Sequence, residues 1–234
     1  MLLLFDIDGT LVLGATDAHR DALKAALSEV HGVRVRSAKG VVPPAGRTDA
    51  EIARALLLDA GISAERIDDR AADVREACCR IYAQLSTEDL SHTVLPGIRE
   101  LLEWLSERDD VKLGLLTGNY EPVARLKLKR AGIGRFFPSG QGAFGSDAED
   151  RAALPAIARR RAGVVGKPHP RADTVVIGDT PRDIACARAD GVRCIAIATG
   201  PYGVEELSDA DEVVRDADEL RAAITAWASG TASA

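Results

Sequence analysis

Three short apolar runs each end in a polar turn, and this pattern limits the possible folds of the chain more than any other feature. Leu2-Leu3-Leu4-Phe5 leads into Asp6-Ile7-Asp8-Gly9-Thr10. Val111-Lys112-Leu113-Gly114-Leu115-Leu116 leads into Thr117-Gly118-Asn119, and Thr174-Val175-Val176-Ile177-Gly178 into Asp179. Short apolar runs bounded by turn residues read as buried strands. Helical patterns alternate with them from residue 97 onward: Gly97–Arg108, Glu121–Ala131, a helix running through Arg161, and Pro181–Ala189. A strand over Val192–Ala198, a weaker one at Glu212-Val213-Val214 and a helix over Asp218–Trp227 complete the series. Strand–helix alternation with short connections predicts an α/β fold with a doubly wound parallel sheet.

The first strand belongs to the same sheet, yet residues 14–91 read as helices throughout. Ala22, Leu23, Ala26, Leu27 and Val30 form a helical stripe within Asp17–His31. Thr48 and Glu51 predict a capping box for a helix reaching about Ala60. Ile67, Ala71, Val74, Cys78, Ile81 and Leu85 recur at helical spacing and predict one amphipathic helix. Residues 14–91 are therefore expected as an inserted α-helical cap on a core of 1–13 and 92–228, with 229–234 a disordered tail. The hinges are expected near Leu13–Thr16 and Ser86–Leu95.

Bulk properties exclude some classes. A length of 234 residues suits one sizeable domain with a smaller companion. The net charge of −6 argues against nucleic-acid binding. No apolar run approaches the ~20 residues of a membrane span, and Met1-Leu2-Leu3-Leu4-Phe5 is too short for a signal-peptide core. The expectation is a cytoplasmic protein. Cys78, Cys79, Cys186 and Cys194 form no C-x-x-C pair and read as packing thiols, not zinc ligands. The four histidines are scattered and read as structural or surface residues.

In an open parallel sheet, ligands bind beyond the carboxyl ends of the strands. That rule brings Asp6, Asp8, Thr117, Gly118, Asn119, Asp179 and Asp183 to one crevice. Asp6 and Asp8 leave the strand on the same side, so they repel each other unless a cation or a shared proton intervenes. Four carboxylates, a hydroxyl and free backbone N–H groups fit a Mg²⁺ ion beside a phosphoryl group. Two of these features also have plain structural readings. Asp183 follows Thr180-Pro181 as a good helix start, and Thr117-Gly118-Asn119 is an ordinary turn on its own.

Asp6-Ile7-Asp8-Gly9-Thr10, Leu116-Thr117-Gly118-Asn119 and Gly178-Asp179-Thr180-Pro181-Arg182-Asp183 resemble motifs I, II and IV of the haloacid dehalogenase-like hydrolase superfamily. They fall in the family's order and cover the core. The helical insertion resembles the cap of the phosphoglycolate phosphatase-like branch. The resemblance implies that Asp6 attacks phosphorus to give an aspartyl-phosphate and that Asp8 acts as acid and then base. It also implies that Asp6, the main-chain carbonyl of Asp8 and Asp179 hold Mg²⁺, with Asp183 ligating directly or through water. Thr117 and the N–H groups of Gly118 and Asn119 would bind the phosphoryl oxygens.

Motif III departs from the family pattern, which places a lysine before the helix preceding the third strand. Lys167 follows that helix, about seven residues before Thr174. Since five strand residues span roughly 17 Å, it falls at the amino edge of the sheet. Arg151 stands 28 positions before Asp179 and four before Pro155, and its fork suits phosphate and carboxylate. Arg151 is the preferred candidate. Gly46-Arg47-Thr48-Asp49 resembles a loop that family members lower onto substrate, so Arg47 is either a substrate contact or a solvated arginine beside a helix cap.

The expected activity is a Mg²⁺-dependent phosphatase acting on a small phosphorylated metabolite, with neither nucleic acid nor membrane as partner. A monomer and a homodimer remain equally open. A phosphomutase would keep every one of these residues. A haloacid dehalogenase needs no acid at Asp8, and a non-catalytic phosphate sensor would have lost a carboxylate.

Overall fold

The structure is a computed structural model that describes residues 1–36 and 38–228. The expected disordered tail, 229–234, lies outside the described residues. Strands Leu2–Phe5 (β1), Lys112–Thr117 (β2), Ala143–Phe144 (β3), Thr174–Gly178 (β4), Arg193–Ile197 (β5) and Glu212–Val214 (β6) form one sheet. All its pairings are parallel, in the order β3-β2-β1-β4-β5-β6. The expected α/β fold class is the observed one. The order reverses at β1, so the topological switch point lies between β1 and β4, where such sheets bind ligands.

Helices Asp17–His31 (α1), Asp49–Asp59 (α2), Ala64–Asp69 (α3) and Ala71–Leu85 (α4) lie between β1 and β2. Helices Ile98–Ser106 (α5), Glu121–Arg130 (α6), Leu154–Ala162 (α7), Pro181–Asp190 (α8) and Ala217–Ala228 (α9) cover the sheet. Side-chain alternation along each strand divides the core in two. Leu3, Phe5, Val175, Ile177, Ile195 and Ile197 pack with the apolar stripes of α5, α6 and α9. Leu2, Leu4, Val176, Cys194 and Ala196 face the opposite way onto α7 and α8.

The helices between β1 and β2 bury a third cluster, including Leu23, Leu27, Leu56, Leu57, Val74 and Tyr82. Tyr120 and Val123, at the start of α6, join this cluster and tie it to the sheet layer. The two segments that connect it to the sheet are bonded to each other: Leu13 donates to the Thr93 carbonyl at 2.8 Å and Leu95 to the Leu11 carbonyl at 3.1 Å. No helix among the described residues is long and apolar enough to cross a membrane.

Two local expectations need correction. The single helix expected through Ile67–Leu85 is two, because Arg70 (φ −111°, ψ 9°) leaves the helical region and Ser63 opens α3 by accepting from the Arg66 N–H. Ile67 and Val74 enter the same apolar cluster from either side of the break, so periodicity alone does not register it. The capping box at Thr48 is half formed. Thr48 accepts from the Glu51 N–H at 3.1 Å, but the Glu51 carboxylate turns to Arg47 instead of back to the cap.

Candidate active site

Motif I turns sharply at the end of β1. The Leu11 and Val12 N–H groups donate to the Ile7 carbonyl, at 2.9 and 3.0 Å, and close the turn. Gly9 has φ 89°, and a Cβ there would overlap the Asp179 carboxylate. Only glycine meets both demands. The Thr10 hydroxyl donates to Asp179 Oδ1 at 3.2 Å, joining the ends of β1 and β4.

Asp6, Asp179 and Asp183 converge there with 5%, 1% and 0% exposure, and one carboxylate oxygen from each lies within 4.8 Å of the others. Burial pushes Asp6 up to about 6, helped by Asp183 and Asp8 and opposed by Arg151. Burial pushes Asp179 up to about 8, with Asp6 and Asp183 adding and the Thr10 bond subtracting. Asp8 behaves differently. Its burial alone would raise it, but Lys127, and to a lesser degree His19 and Asn119, hold it below the usual carboxylate range. Counting Asp8, four carboxylates face two buried cations, Arg151 and Lys127. With all four ionised, as a bound cation would favour, two negative charges are left over, the charge of one hard divalent cation with oxygen ligands. The donor set therefore fits a metal.

A pH dependence follows. Asp6 and Asp179 bind protons more tightly in the folded protein than in the unfolded chain. Their favourable contribution is complete below the ordinary carboxylate value of 3.8 and is lost as pH rises through about 6 and about 8. In chelator, the melting temperature should fall between those limits. Added divalent cation should raise it, with the larger gain at the alkaline end. A melting temperature that is flat with pH and indifferent to cation would contradict the assignment.

Asp183 carries two duties. Its Oδ2 accepts from the Thr180 N–H at 3.0 Å and from the Thr180 hydroxyl at 2.7 Å, completing the capping box of α8. Its Oδ1 accepts from Arg151 at 2.5 Å. Both oxygens accept hydrogen bonds and still have lone pairs to offer, so the geometry fits a metal ligand acting directly or through water.

Arg151 stands on the turn before α7, 6% exposed, and also lies 3.4 Å from Asp6. Burial would lower it, but Asp183 and Asp6 outweigh that and keep it charged. Lys167 is exposed, in a turn that pairs with Val164 next to Ala162. The Ala162 carbonyl accepts from Lys112 at the start of β2, so this turn lies at the amino edge of the sheet. The structure thus brings Arg151 to the crevice and leaves Lys167 away from it.

Thr117 is fully buried at the end of β2, and Asn119 accompanies it in the turn before α6. The 46–49 loop presses on this turn. The Asp49 N–H donates to the Gly118 carbonyl at 2.8 Å, and a Cβ at Gly118 would strike the Arg47 carbonyl. Thr48 and Arg54 clasp Glu149, both at 2.6 Å, close to Arg151. The Arg47 guanidinium itself is bound to Glu51 and to the Pro43 carbonyl; burial lowers its pKa, and the nearby Arg182 adds to the effect. The loop meets the crevice, while its arginine is restrained at the mouth.

Two buried residues were not anticipated from the sequence. His19 donates to or accepts from Asp49 at 3.0 Å, and the same Asp49 oxygen accepts the Tyr120 N–H that opens α6, at 2.7 Å. Lys127, with 0% exposure, places its ammonium 2.7 Å from both oxygens of Asp8 and 2.9 Å from Asn119 Oδ1. A signal for Lys127 was present: it occupies the buried stripe Val123, Ala124, Lys127, Leu128 of α6. A lysine on the apolar face of a helix needs a buried anion.

Buried carboxylates, an arginine fork and a polar strand-end turn at the switch point define an α/β enzyme site for a cation and an anionic ligand. A family model described as haloacid dehalogenase-like hydrolase matches residues 1–191. The chain is 30% identical over 202 residues to a phosphoglycolate phosphatase of Pseudomonas savastanoi pv. phaseolicola, covering 85% of this chain and 70% of that one. It is 28% identical over 232 residues to one from Pseudomonas putida, covering 94% and 77%. A β-phosphoglucomutase structure from Clostridium difficile shares the fold, with TM-score 0.67, 16% identity and coverage of 98% and 97%. The chain belongs to the haloacid dehalogenase-like hydrolase family, on the branch of its phosphoglycolate phosphatase relatives.

Proposed function

We propose that this protein is a Mg²⁺-dependent phosphatase that hydrolyses a small phosphorylated metabolite through an aspartyl-phosphate on Asp6. The observation that carries the reading is the buried Asp6–Asp179–Asp183 cluster with Arg151 inside it. Asp6, the Asp8 carbonyl and Asp179 would hold Mg²⁺, with Asp183 ligating directly or through water. The bound ion supplies charge neutralisation, so that an anionic carboxylate can approach an anionic substrate.

The chain's own residues perform the rest. An Asp6 oxygen forms a bond to phosphorus as the bond to the leaving oxygen breaks, and Asp8, ionised in the free enzyme, relays to that oxygen the proton that the substrate monoanion brings in. Asp8 then takes a proton from water, whose oxygen displaces Asp6 and releases phosphate. Lys127 keeps Asp8 ionised, the form this second step requires. Thr117 and the N–H groups of Gly118 and Asn119 would hold the phosphoryl oxygens. Residues 14–91 act as a cap on a core of 1–13 and 92–228, and bending near Leu13–Thr16 and Ser86–Leu95 admits substrate and excludes water.

Arg47 and Arg182 at the crevice mouth favour a substrate with a second anionic group, and the relatives' names point to 2-phosphoglycolate. Phosphate release is measured across a panel of phosphorylated metabolites with and without Mg²⁺. Arg47→Ala should raise KM for 2-phosphoglycolate about tenfold, the loss of one charge-assisted contact, and leave KM for p-nitrophenyl phosphate unchanged. Equal effects on both compounds would remove Arg47 from substrate recognition. Absence of Mg²⁺-dependent turnover on the whole panel would reject the phosphatase reading.

A further inference from the structure

We propose that Lys127 is a positioning residue for catalysis, fixing the carboxylate of Asp8 from the helix that follows motif II. The proposal rests on the reading of Asp8 as acid and base. Lys127 lies on α6, and Asp8 lies in the turn after β1, 119 positions earlier. The ammonium contacts Asp8 Oδ1 and Oδ2 at 2.7 Å each and Asn119 Oδ1 at 2.9 Å. Asn119 closes the ring by donating from Nδ2 to Asp8 Oδ2 at 3.1 Å. All three ammonium donors are therefore used, and both Asp8 oxygens are engaged.

Lys127 has 0% exposure, whereas the Asp8 side chain keeps 22%. The carboxylate reaches the crevice and the lysine does not, so Lys127 acts on substrate only through the groups it holds, Asp8 first and Asn119 with it. A purely structural buried lysine would need only a charge partner. This one holds both oxygens of one carboxylate together with the side chain of the motif II turn, which fixes the orientation of the group that must meet the leaving oxygen. Proton transfer is efficient only within hydrogen-bond reach of the reacting atom, so an Asp8 free to rotate loses rate without loss of substrate binding.

The test compares Lys127→Met, Lys127→Gln, Asp8→Asn and the Lys127→Met/Asp8→Asn double variant on p-nitrophenyl phosphate and 2-phosphoglycolate. Lys127→Met should lower kcat by about 100-fold, in the range of lost acid–base catalysis, with KM within about threefold. Lys127→Gln, which keeps a donor, should recover part of that loss. The double variant should be little slower than Asp8→Asn alone, because the carboxylate that Lys127 positions is then gone. Thermal melting checks folding, and Lys127→Gln carries the comparison if Lys127→Met does not fold. Losses that multiply in the double variant, a raised KM at constant kcat, or wild-type rates in both lysine variants overturn the proposal while an inactive Asp8→Asn leaves the phosphatase reading standing. An inactive wild type, or an Asp8→Asn as fast as wild type, overturns that reading and this inference with it.

Discussion

Asp6→Asn should reduce kcat on p-nitrophenyl phosphate by about 10⁴-fold or more while the protein stays as stable as wild type or becomes more so. The loss follows from removing the nucleophile, because an amide oxygen cannot form the covalent intermediate. The stability follows from the electrostatics of the site. Burial, with Asp183 and Asp8 nearby, pushes Asp6 up to about 6 even with Arg151 beside it, so the ionised carboxylate is a cost to the metal-free fold. A neutral amide of the same shape removes that cost. Steady-state kinetics and denaturant unfolding in chelator measure the two effects. Retained turnover would exclude Asp6 as nucleophile. A marked drop in unfolding free energy would mean that Arg151 depends on Asp6 more than on Asp183.

Arg151→Met should produce the opposite combination, a large stability loss together with a loss of activity. Arg151 is 6% exposed and faces Asp183 at 2.5 Å and Asp6 at 3.4 Å. Removing one partner of a buried ion pair leaves the other uncompensated and typically costs about 3–5 kcal/mol. Here two carboxylates are stranded in a cluster that already carries excess negative charge. Urea unfolding should show the loss. Adding Asp183→Asn to Arg151→Met should return part of it, since the amide keeps the shape of the capping residue without its charge. A loss below about 1 kcal/mol would mean that water reaches the cluster and screens it.

The two variants divide the site into separate chemical duties. Asp6 is held in a state that is poor for stability and good for reaction. Arg151 makes that state tolerable. Natural proteins accept such local conflict at functional sites and compensate for it in the surroundings.

Much of this is legible in the amino-acid sequence. The three apolar runs became neighbouring strands β2, β1 and β4, because short buried runs with helices between them have few parallel arrangements available. Their polar ends meet because parallel strands share one direction. Strand length sets Lys167 aside, because a residue seven positions before a five-residue strand falls at its start, one whole strand away from the crevice; Arg151 is preferred for its place before Pro155 and its fork. The break at Arg70 was not legible, since apolar spacing reports which face is buried and is unchanged by a kink between two helices that bury into one cluster.

The sequence by itself determined the strands, their shared direction and the carboxylates at their ends, because strand–helix alternation from residue 97 onward makes the sheet parallel and puts those ends on one side. Only the tertiary structure decided how those carboxylates differ from one another. Asp6 and Asp179 are pushed up by burial, while Asp8 is held down by a lysine 119 positions away on a helix packed beneath it. Periodicity reports that a side chain is buried, not which charge it meets there. At distances of a few ångströms in a poorly screened interior, that partner sets the chemistry.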